Sequence, residues 1–293
     1  MTELWAPNRC HSRSTPPVPP ICFSGANGET SLDTLASLLP GVASFTTRWF
    51  MPEYRPMQSG DWSMRISGGV LAQGYWGPTV LVTVLPALLR GDDVWMSLTP
   101  MEMESQEIGI ALAHGHVAVM GMGMGWAAMA PTLRDEVTKV TVVERDGDVL
   151  AIHRELNLFA QLPEAARAKL EIVQADALEW RPDTPVDLLM PDIWLPLMSD
   201  GRVEEVRRMQ ANVQAGAIYF WGQELEIARH ARTAGHALDA EGIAATIAAF
   251  DLPLIGPAYP GYPEIVKIAA QRWMRDRWLA GTASNLHEAA DMA

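Results

Sequence analysis

His116-Val117-Ala118-Val119-Met120-Gly121-Met122-Gly123-Met124-Gly125-Trp126 sets the fold expected of this chain. An apolar run of strand-forming residues ends in three glycines at alternate positions, and a helical pattern begins directly behind them. Glycine lets such a turn adopt positive φ and lets a ligand approach the backbone closely, while the helix N-terminus offers free N–H groups. A Met- and Gly-rich turn packed beneath a sheet would look the same, so the residues beyond the loop have to decide between the two.

Beyond the loop, acids recur at strand ends. The strand Lys139 to Glu144 ends in a carboxylate 19 positions past Gly125, close to the ~20 expected for an acid that hydrogen-bonds ribose hydroxyls. Glu171 to Gln174 leads into Ala175-Asp176-Ala177, and Val186 to Met190 leads into Pro191-Asp192. Ligands of a doubly wound sheet bind at the carboxyl ends of its strands, so Gly121, Gly123, Gly125, Glu144, Asp176 and Asp192 are expected to line one crevice. Each acid alone is more often a helix cap or a solvated turn than a ligand, and their joint placement is the signal.

Outward from this core, the texture divides the chain into three. Residues 1–30 contain Pro16-Pro17-Val18-Pro19-Pro20 and read as a disordered Pro-rich tail. Residues 31–100 show short extended runs broken by turns (Ser63 to Ile66, Gly69 to Tyr75, Thr79 to Leu89, Val94 to Leu98), which predict a small antiparallel β unit. Residues 101–293 alternate helix-like and strand-like segments, beginning with the helix Met101 to Ala113 and running through Gly125 to Leu133, Gly147 to Leu158, Val203 to Val213, Ala217 to Trp221 and Gln223 to Ala234. That alternation predicts an α/β fold, a doubly wound Rossmann-like and mostly parallel sheet with helices on both faces. Glu264 to Ala270 reads as a returning strand, and Tyr259 and Tyr262 as shaping a substrate lid or a plain edge connection.

Composition narrows the partners. Of 293 residues 48% are hydrophobic and 19% charged, enough apolar material for a buried core. The formal charge of −13 disfavours nucleic acid or an anionic membrane surface as the main partner and leaves cationic or small neutral molecules. Cys10 and Cys22 both lie in the tail, so no disulfide framework or Cys-based metal site is expected, and the His residues show no metal-ligand spacing. Apolar runs are shorter than the ~20 residues that span a bilayer, and a cytoplasmic protein is expected. A homodimer is allowed by the sequence but not required by it. Eleven Trp are present, and Trp126 and Trp194 fall beside the expected crevice, where a ring face would attract a sulfonium or ammonium.

A glycine loop with a ribose acid behind it suits two cofactors. Gly123-Met124-Gly125-Trp126-Ala127-Ala128 satisfies the G-x-G-x-x-A form of a dinucleotide fingerprint, so a nicotinamide-dependent oxidoreductase stays open. The later acids favour an adenosyl ligand with a charged sulfonium and no phosphate. On Gly121 to Gly125, Val142-Val143-Glu144-Arg145-Asp146, Gln174-Ala175-Asp176-Ala177 and Asp187-Leu188-Leu189-Met190-Pro191-Asp192, the chain resembles the class I S-adenosylmethionine-dependent methyltransferases over about residues 85 to 222. Within them it looks most like the polyamine (spermidine) synthase branch. Val119 stands where many methyltransferases carry an acid, and the Arg90-Gly91-Asp92 turn precedes a helix carrying Glu102, Glu104 and Gln106.

The resemblance implies S-adenosyl-L-methionine as cofactor, cradled by Gly121, Gly123 and Gly125. Glu144 would hold the ribose, Asp176 with Ala177 the adenine, and Gln106 the amino-acid end, while Asp192 would sit at the reacting centre as base or amine anchor. Glu104, Trp194 and Tyr259 are candidates for the substrate side. The branch usually has a second acid three residues after the Asp192 position, whereas this chain has Leu195. Loss of that charge-assisted anchor, ~1.5 to 3 kcal/mol, disfavours a polycationic amine such as putrescine. The expected activity is therefore methyl transfer to a small molecule. The alternatives are transfer or cyclisation of the aminoalkyl arm with release of methylthioadenosine, the nicotinamide enzyme, and a non-catalytic relative whose crevice serves a protein partner.

Overall fold

The computed structural model describes residues 41–275 and 277–279. The Pro-rich tail and both cysteines lie outside the described residues. A four-stranded antiparallel meander comes first: β1 (Met57–Ser59), β2 (Trp62–Gln73), β3 (Thr79–Arg90) and β4 (Asp93–Ser97), in the order β1-β2-β3-β4. Its tight turns fall at Gly60 and Gly91, both at positive φ.

A second sheet has five strands: β5 (Gly115–Met120), β6 (Val137–Glu144), β7 (Leu170–Gln174), β8 (Leu188–Pro191) and β9 (Ala217–Ile218). All pairings among them are parallel and the order is β7-β6-β5-β8-β9. The chain winds outward from β5 in both directions, so the order reverses between β5 and β8, where a doubly wound sheet opens its ligand crevice. His116 to Met120 are buried without alternation, as in a strand covered on both faces. The described part of this sheet is the Rossmann-like architecture that the alternating pattern predicted.

Local chemistry sets the helices between strands. Thr99 caps the helix Pro100–Leu112 by accepting the Glu102 N–H at 3.3 Å, with Pro100 in the first turn. Asp146 caps Gly147–Leu156, which stops at Asn157 in the left-handed conformation. Two features differ from the sequence expectation. The segment Glu264 to Ala270 is not a strand but part of a helix, Tyr262–Trp273, opened by Gly261 and Pro263. A further helix, Ala240–Phe250, starts at the Asp239 cap, whose carboxylate accepts the Gly242 N–H at 2.9 Å.

The meander lies against the carboxyl edge of the parallel sheet. Trp62 Nε1 donates to Asp146 at 2.8 Å and Ser59 Oγ to Asp148 at 2.7 Å. The β2–β3 turn is clamped from two sides: Glu104 accepts the Trp76 and Gly77 N–H groups at 2.8 Å each, and Trp273 Nε1 donates to the Tyr75 carbonyl at 3.0 Å. Beneath the turn, Glu224 is fully buried and accepts the Tyr219 hydroxyl at 3.0 Å and the Tyr75 hydroxyl at 3.3 Å. Burial pushes its carboxyl up to about 7, with the tyrosine hydroxyls pulling the other way. Among the described residues no helix is long and apolar enough to cross a membrane.

Candidate active site

The crevice opens at the β5–β8 switch point. Gly121, Gly123 and Gly125 all have positive φ, and at Gly121 backbone packing as well as turn geometry demands glycine. A Cβ on Gly121 would overlap the Asp192 carbonyl oxygen, one on Gly123 the Met96 sulfur, and one on Gly125 the Leu158 side chain. The loop is further tied down from below, because the His153 ring is nearly inaccessible and its Nε2 lies 2.8 Å from the Gly123 carbonyl. That geometry makes Nε2 the protonated nitrogen, leaving Nδ1 buried without a partner. Burial pushes the His153 pKa down to about 4, so the imidazole is neutral. It is a packed histidine that braces the loop.

One cleft gathers most of the residues the sequence singled out. Gly121, Gly123, Glu144, Asp176, Ala177, Asp192 and Trp194 all line it. At its floor, Glu144 Oε2 accepts the Met122 N–H at 2.9 Å and Oε1 accepts the Asp146 N–H at 2.7 Å. Asp176 stands half-exposed, accepting the Leu178 N–H at 2.8 Å and facing Arg145 at 3.9 Å. Acidic side chains outnumber basic ones: Glu102, Glu144, Asp146, Asp176, Asp192 and Glu205 line the cleft with Arg90 and Arg145.

Asp192 comes directly after β8 and its backbone N–H reaches the Met120 carbonyl at 2.8 Å, which fixes it beside the glycine loop. Gln106 Nε2 donates to its Oδ2 at 2.8 Å. Burial raises the Asp192 carboxyl to about 7, against the pull of the Arg202 charge. Glu102, from the same helix as Gln106, is raised well above the usual carboxylate range by burial and by the Asp192 charge. Burial thus works against the charged form of both carboxyls.

Arg202 anchors the loop that carries Asp192. Its buried guanidinium donates to the carbonyls of Pro196 at 2.5 Å, Leu197 at 2.6 Å and Trp221 at 3.0 Å, and lies 4.4 Å from the Trp194 ring centroid. Burial lowers its pKa to about 10, so it stays charged. Trp194 is further fixed by its Nε1 donating to Glu205 at 2.5 Å.

Three sequence-derived assignments move. Glu104 does not line the cleft, because its carboxylate is consumed by the β2–β3 turn. Tyr259 borders a separate surface depression with Arg48 and Arg134, and Tyr262 is buried with its hydroxyl accepting from Gln223 at 2.8 Å, so neither forms a lid on this cleft. Trp126 is buried and donates to the Phe50 carbonyl at 3.1 Å, so it packs below the loop rather than facing the cleft. Gln106 and Gly125 border a second, smaller cavity that adjoins the cleft. Beside Trp194, aromatic walls come from Trp62, Trp95 and Trp221, which sequence reasoning missed. Trp62 and Trp95 meet edge to face at 5.2 Å, an arrangement set by meander pairing that only the fold reveals. Among the described residues no cluster of His, Cys, Asp and Glu could hold a metal ion.

No protein-family model matches the chain, and no curated protein matches it. Among solved structures, it is similar to the glycopeptide N-methyltransferase MtfA complexed with S-adenosyl-L-homocysteine, at 22% identity over 38% of this chain and 41% of that one, TM-score 0.30. It is similar to the methyltransferase domain of bacterial CtHen1 at 14% identity, over 40% of this chain and 65% of that one, TM-score 0.32. The DhpI–SAM–HEP complex matches at 19% identity, over 41% of this chain and 53% of that one, TM-score 0.30. The chain spans less than two thirds of the length of each of these proteins.

Proposed function

We propose that the chain is an S-adenosylmethionine-dependent methyltransferase acting on a small-molecule acceptor. The observation that carries this reading is a cleft at the sheet's switch point with glycine backbone on one wall and six acidic side chains against two arginines around it. Such a lining favours a cationic, phosphate-free nucleoside and disfavours a pyrophosphate.

The residues present suit that ligand. Gly121 and Gly123 put backbone without a side chain of their own on the cleft wall. A carboxylate has about four lone-pair positions, so Glu144 keeps acceptors for two ribose hydroxyls after binding the Met122 and Asp146 N–H groups. Asp176 and Ala177 stand where they would take the adenine, and Gln106 adjoins the end meant for the amino acid. When bound, the cofactor supplies a methyl group activated by its sulfonium.

The chain then has three tasks. Asp192, with its pKa near 7, accepts the proton that the acceptor's nucleophile sheds at Oδ1 or Oδ2. Gln106 fixes the orientation of that carboxylate, and Arg202 fixes the loop behind it. Trp62, Trp95 and Trp194 wall the cleft, exclude water and confine the acceptor, and such positioning can supply ~7 to 11 kcal/mol.

A second reading, aminoalkyl transfer or cyclisation with release of methylthioadenosine, draws support from the acid pair Glu102 and Asp192 and from apolar, buried Val119 in β5. Incubating the protein with S-adenosylmethionine and a panel of amines, phenols and carboxylates, with mass spectrometry of the products, separates the readings. Acceptor-dependent S-adenosylhomocysteine supports methyl transfer, and methylthioadenosine would replace it with the second reading. Absence of both products together with absence of nucleoside binding would sink both.

A further inference from the structure

Met96, at the inner end of β4, lies between two spaces. The cleft on one side and the small cavity on the other share it as a wall, together with Glu102, Gly121 and Asp192. Its sulfur sits on Gly123 where a Cβ would otherwise be, and it accepts the Met124 N–H at 3.2 Å. The cavity behind it has a volume of only about 10 Å³.

The polar groups around that cavity match an amino acid. Glu102 and Asp192 supply carboxyl oxygens as acceptors for an α-ammonium, while Gln106 and the Met124 N–H that Met96 now occupies supply donors for an α-carboxylate. The group occupying the place is a thioether, among the weakest acceptors in a protein. A carboxylate accepts from the same N–H about twice as strongly as a neutral oxygen does. The methionyl arm of the proposed cofactor also has the same unbranched carbon–sulfur skeleton as a methionine side chain, so one can replace the other without reshaping the walls.

We infer that Met96 is a displaceable plug in the amino-acid subsite: it fills the space while the arm is absent and swings aside for nucleosides that carry one. The inference rests on the adenosyl reading and adds a specificity determinant to it. An arm-bearing nucleoside must displace Met96, and its apparent affinity falls by the fraction of molecules in which the plug is out. A nucleoside lacking the arm fills only the cleft and is indifferent to the plug.

The test is a pair of calorimetric titrations, S-adenosylhomocysteine and methylthioadenosine, against the full chain and against Met96→Ala. The substitution should tighten S-adenosylhomocysteine about fivefold or more while leaving methylthioadenosine within about twofold. An unchanged or lowered ratio of the two affinities would overturn the inference and leave the adenosyl reading intact. Failure of the unsubstituted protein to bind either nucleoside would remove that reading and the plug with it. Should Met96→Ala not fold, methionine-methyl 13C labelling of the unsubstituted chain gives the same answer, with the Met96 signal assigned in Met96→Leu. A signal at saturating S-adenosylhomocysteine distinct from that at saturating methylthioadenosine supports displacement, and coincident signals refute it.

Discussion

Glu144 Oε2 accepts the backbone N–H of Met122 at 2.9 Å, so the acid that ends β6 also holds the glycine loop that ends β5. Two adjacent strands thereby fix the floor of the cleft, and the residue proposed to bind ribose is already oriented by the loop it faces. Replacement by Gln keeps an acceptor for one N–H and loses the charge. Glu144→Gln should weaken S-adenosylhomocysteine by about tenfold, the equivalent of a charge-assisted bond of ~1.5 kcal/mol, with a smaller effect on melting temperature. Equal losses of affinity and stability would mean that Glu144 serves the loop alone.

Asp192 has its carboxyl raised to about 7, so the proposed base is half ionised at neutral pH. Activity should therefore rise with pH through that value and level off above it. In Asp192→Asn the turnover should drop by about 10²- to 10⁴-fold and the limb near 7 should vanish from what remains. Retention of the limb in the variant would assign it to another group, with Glu102 the first to examine.

His153 works in the opposite direction. Its folded pKa, about 4, lies below its usual value, so the unfolded chain binds more protons between those limits. The contribution of neutral His153 to stability is complete above pH 6.5 and is lost as the pH falls toward 4. Urea denaturation of the unsubstituted chain and of His153→Gln should show a stability gap that shrinks from pH 7 to pH 4.5. A gap independent of pH would rule out this role.

Glu224 supplies the complementary case. Its folded carboxyl titrates at about 7 against an ordinary 4.5, so the folded state holds the extra proton and stability declines as the pH rises through that interval. Glu224→Gln keeps the shape and removes the ionisation. The variant should gain stability relative to the unsubstituted chain as the pH rises from 4.5 to above 7. A constant difference across that range would place the proton elsewhere in the tyrosine cluster.

The strands around the cleft were legible because β5, β6 and β8 are short, largely apolar and each leads to a distinctive residue, Gly121, Glu144 and Asp192 respectively. Helix Tyr262–Trp273 was not, because Ile265-Val266-Lys267-Ile268-Ala269-Ala270 suits a buried strand as well as a helix in composition. Only the burial of Tyr262, Val266, Ala269 and Ala270, spaced mostly at three to four residues, settles its period. Glu104 illustrates a different limit: its helix was correctly placed, but the face it presents is set by the β2–β3 turn docking 27 and 28 residues earlier in the chain. The tryptophan walls depend in the same way on how the meander folds over the loop. Residues bound to a strand end by a few peptide units are readable from order alone, and residues delivered by a second sheet are not.

The adenosyl reading stands or falls on calorimetric titration of the full chain with S-adenosylhomocysteine, with NAD as the comparison. One site per chain for S-adenosylhomocysteine and no measurable heat from NAD is the expected result, because the carboxylate-lined cleft repels a pyrophosphate. Binding of NAD with silence toward S-adenosylhomocysteine would contradict it and return the glycine loop to the dinucleotide reading.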